Sequence, residues 1–123
     1  MQYKVLLVDD SRAVFEMLSL MMEESEFTIQ AYCESGEAAL AQYGEVQPDL
    51  VLMDIVMPGM GGLEASAMLK KQWPQARILL VSAWDDGSLD DQAAAIGCVG
   101  VYPKPFSYNS PLKAMREAVA SKA

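Results

Sequence analysis

The chain contains no histidine. That excludes Ser-His and Cys-His catalysis, histidine-ligated metal sites and a phosphohistidine carried by the chain itself. Cysteine is scarce too, with only Cys33 and Cys98. Each lies in or beside an apolar stretch, and neither belongs to a Cys-x-x-Cys pair. Zinc and dithiol motifs are therefore absent, and both read as small buried thiols. Positive charge is in short supply: 9 Lys and Arg against 17 Asp and Glu leave a net charge of −8. That balance argues against direct nucleic-acid binding. No apolar run approaches the ~20 residues needed to span a bilayer, and no signal-peptide pattern follows Met1. The expected location is the cytoplasm, without a membrane partner. No linker, repeat or low-complexity segment interrupts the chain.

What is present is an ordinary globular composition, 52% apolar and 21% charged over 123 residues. It suffices for a single domain over residues 1–123 with a core that needs no covalent staples. Strand and helix signals alternate. "KVLLV" (residues 4–8) is a short apolar run of strand formers. "SRAVFEMLSLMMEE" (11–24) carries Val14, Met17, Leu18 and Met21 at helical spacing. Its methionines could serve a partner groove, but packing on a sheet is the better reading. "FTIQAYC" (27–33) alternates strictly, which places Phe27, Ile29, Ala31 and Cys33 on one face of a half-exposed edge strand. Ser35 caps a short helix over 36–44. "LVLM" (50–53) is continuously apolar and so buried on both faces. A helix over 63–73 stops at Pro74, and "RILLVS" (77–82) is another buried strand. "SLDDQAAAIG" (88–97) is a helix with Leu89, Ala93 and Ile96 inward and Gly97 as its stop. "VGVY" (99–102) is a last strand, and a helix from Ser110, with Pro111 in its first turn, closes the chain. Five βα units predict an α/β fold: a flavodoxin-like (βα)5 doubly wound sandwich whose five-stranded parallel sheet has the order 2-1-3-4-5.

Such sheets bind ligands beyond the carboxyl ends of their strands, at the switch point between strands 1 and 3. Strand 1 delivers Asp9 and Asp10 to that edge. Strand 3 delivers Asp54, strand 4 delivers Ser82, and Lys104 follows strand 5. Each has a bland role available: helix caps for Asp9 and Asp10, an Asx-turn for Asp54, a satisfied loop amide for Ser82, solvent for Lys104. Their convergence is what calls for chemistry. Two unit charges ~4 Å apart interact by about 4 kcal/mol at an effective dielectric of about 20. Three clustered carboxylates therefore need cations, and Lys104 supplies only one. All-oxygen ligation suggests Mg²⁺, with Mn²⁺ as the alternative. Asp54 then becomes a candidate nucleophile toward a phosphoryl group, giving an aspartyl phosphate.

With "KVLLVDDS", "DLVLMDIVMPGMGG", "LLVSA" and "YPKPF" in this order, nearly the whole chain resembles the CheY-like receiver domain of two-component response regulators. The resemblance implies that Asp54 accepts a phosphoryl group from a sensor histidine kinase or a histidine phosphotransfer protein. It implies Mg²⁺ on Asp10, Asp54 and the backbone carbonyl of Val56, with Asp9 acting mostly through a water. Lys104 would pair with the phosphoryl group, across a cis Lys104–Pro105 bond. Ser82 would turn toward it, and the backbone N–H of Ala83 would contact it. The protein would then be a signalling phosphoacceptor, not a metabolic enzyme, acting only on its own phosphorylation and slow autodephosphorylation. Its output face would be helix 4–strand 5–helix 5, residues 89–120, presented to a downstream protein or a fused output domain. A phosphorylation-dependent homodimer is left open. So is whether the chain stands alone or is the receiver of a longer protein.

Three positions depart from the family's habit. The aromatic commonly found three residues before the lysine is replaced by Val101, and alternation sends Tyr102 to the opposite face. The signal is therefore expected to pass through the loop after Ser82, including Trp84. Val56 and Trp84 stand where polar groups often place the hydrolytic water, so the phosphoryl group should be long-lived. Asp85, Asp86, Asp90 and Asp91 form an acidic cluster that either sets partner choice or is a solvated helix start. Other readings fare worse. A flavodoxin would need a phosphate-friendly loop where "DDS" stands. A phosphatase with an Asp nucleophile would carry it after strand 1 beneath a lid. A pseudo-receiver, binding partners without phosphorylation, is the alternative that stays closest.

Overall fold

The computed structural model describes residues 2–83, 87–104, 106 and 110–121. Strands β1 (Tyr3–Val8), β2 (Phe27–Cys33), β3 (Leu50–Asp54), β4 (Ile78–Ser82) and β5 (Gly100–Pro103) alternate with helices α1 (Arg12–Met22), α2 (Gly36–Val46), α3 (Gly62–Gln72), α4 (Ser88–Ile96) and α5 (Leu112–Ala120). Every strand pairing is parallel, and the order is β2-β1-β3-β4-β5, as the alternation predicted.

Helices cover both faces of the sheet, so β3 and β4 are buried along their whole length. On one face Leu6, Val8, Val51, Met53, Ile78 and Leu80 pack with Ala39 and Tyr43 of α2, Ala65 and Leu69 of α3, and Ala93 of α4. On the other, Val5, Leu7, Leu50, Leu52 and Val81 pack with Leu18 and Met22 of α1 and with Met115 and Ala118 of α5. Each fully buried aliphatic side chain contributes about 1.5–3 kcal/mol. The α1 methionines belong to this core: Met22 is buried, and Met17 and Met21 pack against it. Two helix boundaries fall as read: the Ser35 hydroxyl accepts from Ala38 N–H, and Gly97 closes α4 at φ 98°. At α1 the cap is the Ser11 hydroxyl, which accepts from Val14 N–H.

Strand β2 corrects the sequence reading. Val5 pairs with Ile29 but Leu6 pairs with Ala31, so Gln30 is an extra residue in the ladder. The bulge flips the alternation. Phe27 and Ile29 face the α1/α5 side, whereas Ala31 and Cys33 face the other. One face for all four would have required an unbroken register. The flip also turns Tyr32 onto Phe15 of α1, with ring centroids 4.6 Å apart. In α4, only Ala93 of the three inward-facing candidates is buried; Leu89 and Ile96 are half-exposed, because this short helix lies at the edge beside β5. Most element boundaries move by one or two residues as well; β4, for example, begins at Ile78 and α2 continues to Val46.

Arg116 of α5 reaches back to Glu26 at the start of β2 in a two-pronged pair, Nε–Oε2 2.6 Å and Nη2–Oε1 2.9 Å. Chiefly through that hydrogen-bonded pairing, the Glu26 carboxyl falls from its ordinary value to about 2. A lowered carboxyl contributes stability above its unfolded value and loses it as pH falls through the folded one. Melting curves of Glu26→Gln should therefore show a smaller loss of Tm than the parent between pH 4.5 and about 2. The difference should be small and weakened by salt, because the pair is exposed.

Candidate functional site

Parallel strands send their carboxyl ends to one edge, and there the structure gathers the predicted residues. β1 ends immediately before Asp9, β3 ends in Asp54, and β4 ends in Ser82. All three polar side chains are buried: Asp9 is 1% exposed, Asp54 6% and Ser82 3%. Asp10 is exposed at the rim. Carboxylate oxygens of Asp9, Asp10 and Asp54 lie within 4.8 Å of one another. Lys104 closes the cluster from β5, with its Nζ 2.7 Å from Asp9 Oδ2 and 3.5 Å from Asp54 Oδ1. Its backbone N–H donates to the carbonyl of Ser82 at 2.8 Å, which ties the lysine's position to the end of β4.

The two inner acids are held differently. Asp9 Oδ1 accepts from the N–H of Ser11 at 2.8 Å, and Oδ2 meets Lys104. Both its oxygens are thus engaged, and Ser11, not an aspartate, is the cap of α1. Asp54 has less help. Burial and then the Asp9 charge push its carboxyl above the ordinary range, and Lys104 and the Val56 N–H pull it back only in part. The Val56 hydrogen bond is the Asx-type contact that the sequence allowed at this turn. An incompletely compensated carboxylate, buried yet open at a rim, is what a reactive oxygen nucleophile requires.

The donor set suits a hard divalent cation, since every candidate ligand is oxygen. With Asp9 already engaged by Lys104 and Ser11, Asp10 and Asp54 are the carboxylates with capacity to spare. Val56 itself is 76% exposed, so its isopropyl group stands at the mouth of the site. Ala83, which follows Ser82 in sequence, is exposed as well. Trp84, Asp85, Asp86 and Pro105, to which readings were attached above, lie outside the described residues.

Gly62 was not among the expected site residues. A Cβ at this position would lie 2.0 Å from the backbone carbonyl oxygen of Asp54. The first turn of α3 thus rests directly on the residue at the heart of the cluster, and Gly62 N–H donates to Ile55 O at 2.9 Å. The "GMGG" run was the only signal in the sequence, and it reads equally well as a loop.

Val101 and Tyr102 do point to opposite faces. Val101 packs on the α3/α4 side and Tyr102 on the α5 side, stacked 5.9 Å from Phe106 with its hydroxyl donating to Ser110 O.

Comparison with known proteins places this geometry. The family described as "Response regulator receiver domain" matches residues 5–116. A chemotaxis protein CheY of Listeria monocytogenes is 35% identical over 94% of this chain and 97% of its own. Among solved structures, the response regulator domain of Thermotoga maritima CheB superposes with a TM-score of 0.89 at 27% identity, covering 100% of both chains. A CheX-CheY-BeF3-Mg²⁺ complex from Borrelia burgdorferi superposes with a TM-score of 0.84 at 25% identity, over 96% of this chain and 87% of that one.

Gly62→Ala tests how far the site depends on this close approach. Alanine's helix preference over glycine is worth about 1 kcal/mol. An overlap with a backbone carbonyl has no flexible partner to yield, so the clash wins. Chemical denaturation should show a net loss of about 2–3 kcal/mol.

Proposed function

The chain belongs to the response regulator receiver domains, and on that premise we propose that Asp54 is the phosphoacceptor of a two-component phosphorelay. The carrying observation is the convergence of Asp9, Asp10, Asp54 and Lys104 at one sheet edge, with Asp54 buried and only partly compensated. In the proposed step, a carboxylate oxygen of Asp54 attacks the phosphorus of a phosphohistidine on a sensor kinase or phosphotransfer protein. A P–O bond forms, the P–N bond breaks, and the imidazole nitrogen leaves with the electron pair. Asp10, Asp54 and the Val56 carbonyl would hold Mg²⁺ directly, with Asp9 behind a water. Bound there, the cation would neutralise charge on the phosphoryl oxygens.

The chain's own groups do the remaining work. Lys104 leaves Asp9 in part to meet the phosphoryl oxygens, the Ser82 hydroxyl turns toward them, and the Ala83 N–H donates to them. The change is read out over residues 89–120 by a downstream partner or an attached output domain. The Borrelia burgdorferi relative, solved with CheX, BeF3 and Mg²⁺, supports both the acidic-site chemistry and the idea of a protein partner.

Incubation with Mg²⁺ and a small phosphodonor, followed by intact-mass detection, tests this directly. Wild type should gain one phosphoryl group, and Asp54→Asn should gain none. No gain in wild type would leave a pseudo-receiver that binds partners without phosphorylation. A second expectation concerns persistence. The exposed apolar side chain of Val56 offers no hydrogen bond to the water that would hydrolyse the acyl phosphate. Val56→Asn should shorten the phosphoryl lifetime severalfold, and combining it with Trp84→Glu should shorten it further. A lifetime unchanged or lengthened in both variants would refute this account of turnover.

A further inference from the structure

At the opposite edge of the sheet from Asp54, a groove of 470 Å³ opens between the C-terminal turn of α1 and the start of the outer strand β2. We propose that it docks a basic, leucine-bearing segment of a partner protein, whether or not Asp54 carries a phosphoryl group. Its apolar lining comes from Phe15, Met22, Phe27 and Ile29, and Glu23 and Glu24 stand on it as exposed carboxylates. Among the described residues no Lys or Arg lines it. The neighbouring Glu26 is taken up by Arg116, whereas among the described residues Glu23 and Glu24 meet no cation. An apolar floor beneath unpaired carboxylates is complementary to an aliphatic side chain flanked by Lys or Arg.

The backbone supplies a second reason. Glu24 sits at φ 62°, in the left-handed region where glycine or asparagine is favoured. The chain keeps a carboxylate at the rim in a conformation that disfavours it. Charge also selects the occupant. An anionic membrane, a nucleic acid or a second copy of this chain with its own net charge of −8 would bring like charge to the rim. The groove lies at the end where β2 begins and α1 finishes, whereas the acids lie where β1 and β3 finish, so a docked segment does not cover Asp54.

The test is an amide-shift NMR titration with two short synthetic peptides, one of leucine and lysine and one of leucine and glutamate. The lysine peptide should move the amides of Ser19, Met22, Thr28 and Ile29, and the glutamate peptide should not. Filling the groove by Ser19→Trp, or by Thr28→Trp should the first variant not fold, should abolish those shifts without altering net charge. Either variant should still gain a phosphoryl group from the small phosphodonor, which separates failure here from failure of the phosphoacceptor reading. Glu23→Gln should weaken the peptide about fivefold. Glu24→Gly should weaken it similarly while raising Tm, a pairing that a purely structural glutamate would not give. No shifts, equal shifts with the glutamate peptide, or shifts that survive the filled groove would each overturn the proposal.

Discussion

The structure depends on holding three carboxylates together where, among the described residues, Lys104 is the one cation paired with them. At 4.8 Å, a pair of these charges repels by about 3 kcal/mol at an effective dielectric of about 20. Lys104 cannot cancel all of them, and it sits closer to Asp9 than to Asp54. The imbalance falls on Asp54, whose carboxyl is pushed upward by burial and by Asp9. A site of this kind is electrostatically unfinished. It favours whatever brings further positive charge to the edge, and that is the physical sense in which the fold is prepared for a hydrated divalent ion.

Such a cluster survives only on a rigid support, and the sheet provides it. β3 is buried along its whole length between β1 and β4, so the Asp54 backbone cannot retreat from its neighbours. Gly62 then lets α3 press against the Asp54 carbonyl from the far side. Asp9 is fixed by a different route. Its N–H donates to Cys33 O, and its carboxylate receives the Ser11 N–H at the start of α1. The two inner acids are therefore anchored to different helices, and a change of charge at the edge is felt at the first turns of both α1 and α3.

Much of this was legible because period and position are local signals with global consequences. Continuous apolar runs marked the central strands, and the alternation of β with α fixed a parallel order. That order alone sends Asp9, Asp54, Ser82 and Lys104 to one edge. What stayed hidden had no local signature. The Gln30 bulge depends on how β2 matches β1, and a strictly alternating heptad gives no hint of an inserted residue. Gly62 looked like part of a loop because its constraint is a carbonyl from another element. The division of labour between Asp9 and Asp10 was implied by the family resemblance alone, because spacing does not encode which side chain Lys104 and Ser11 reach. Leu89 and Ile96 followed helical periodicity, but α4 sits at the sheet's margin and buries only Ala93.

Strand β5 is where the reactive edge meets the rest of the molecule, and its side chains divide the message. Lys104 hangs from its end, and the Lys104 N–H is bonded to Ser82 O, so the two groups that face Asp54 from that side are mechanically joined. Toward α4 the strand presents Val101, a short β-branched side chain with one dominant rotamer and no ring to swing. Toward α5 it presents Tyr102, stacked on the buried Phe106 and bonded to Ser110 just before α5 begins. Both aromatic groups lie within two residues of Lys104, one on each side in sequence. A displacement of the lysine toward a phosphoryl group therefore meets rigid, interlocked rings on the α5 side and a compact aliphatic on the α4 side. Among the described residues the contacts that lead from β5 to the start of α5 run through Tyr102 and Phe106, whereas the loop with Trp84, through which the signal is expected to pass, lies outside them.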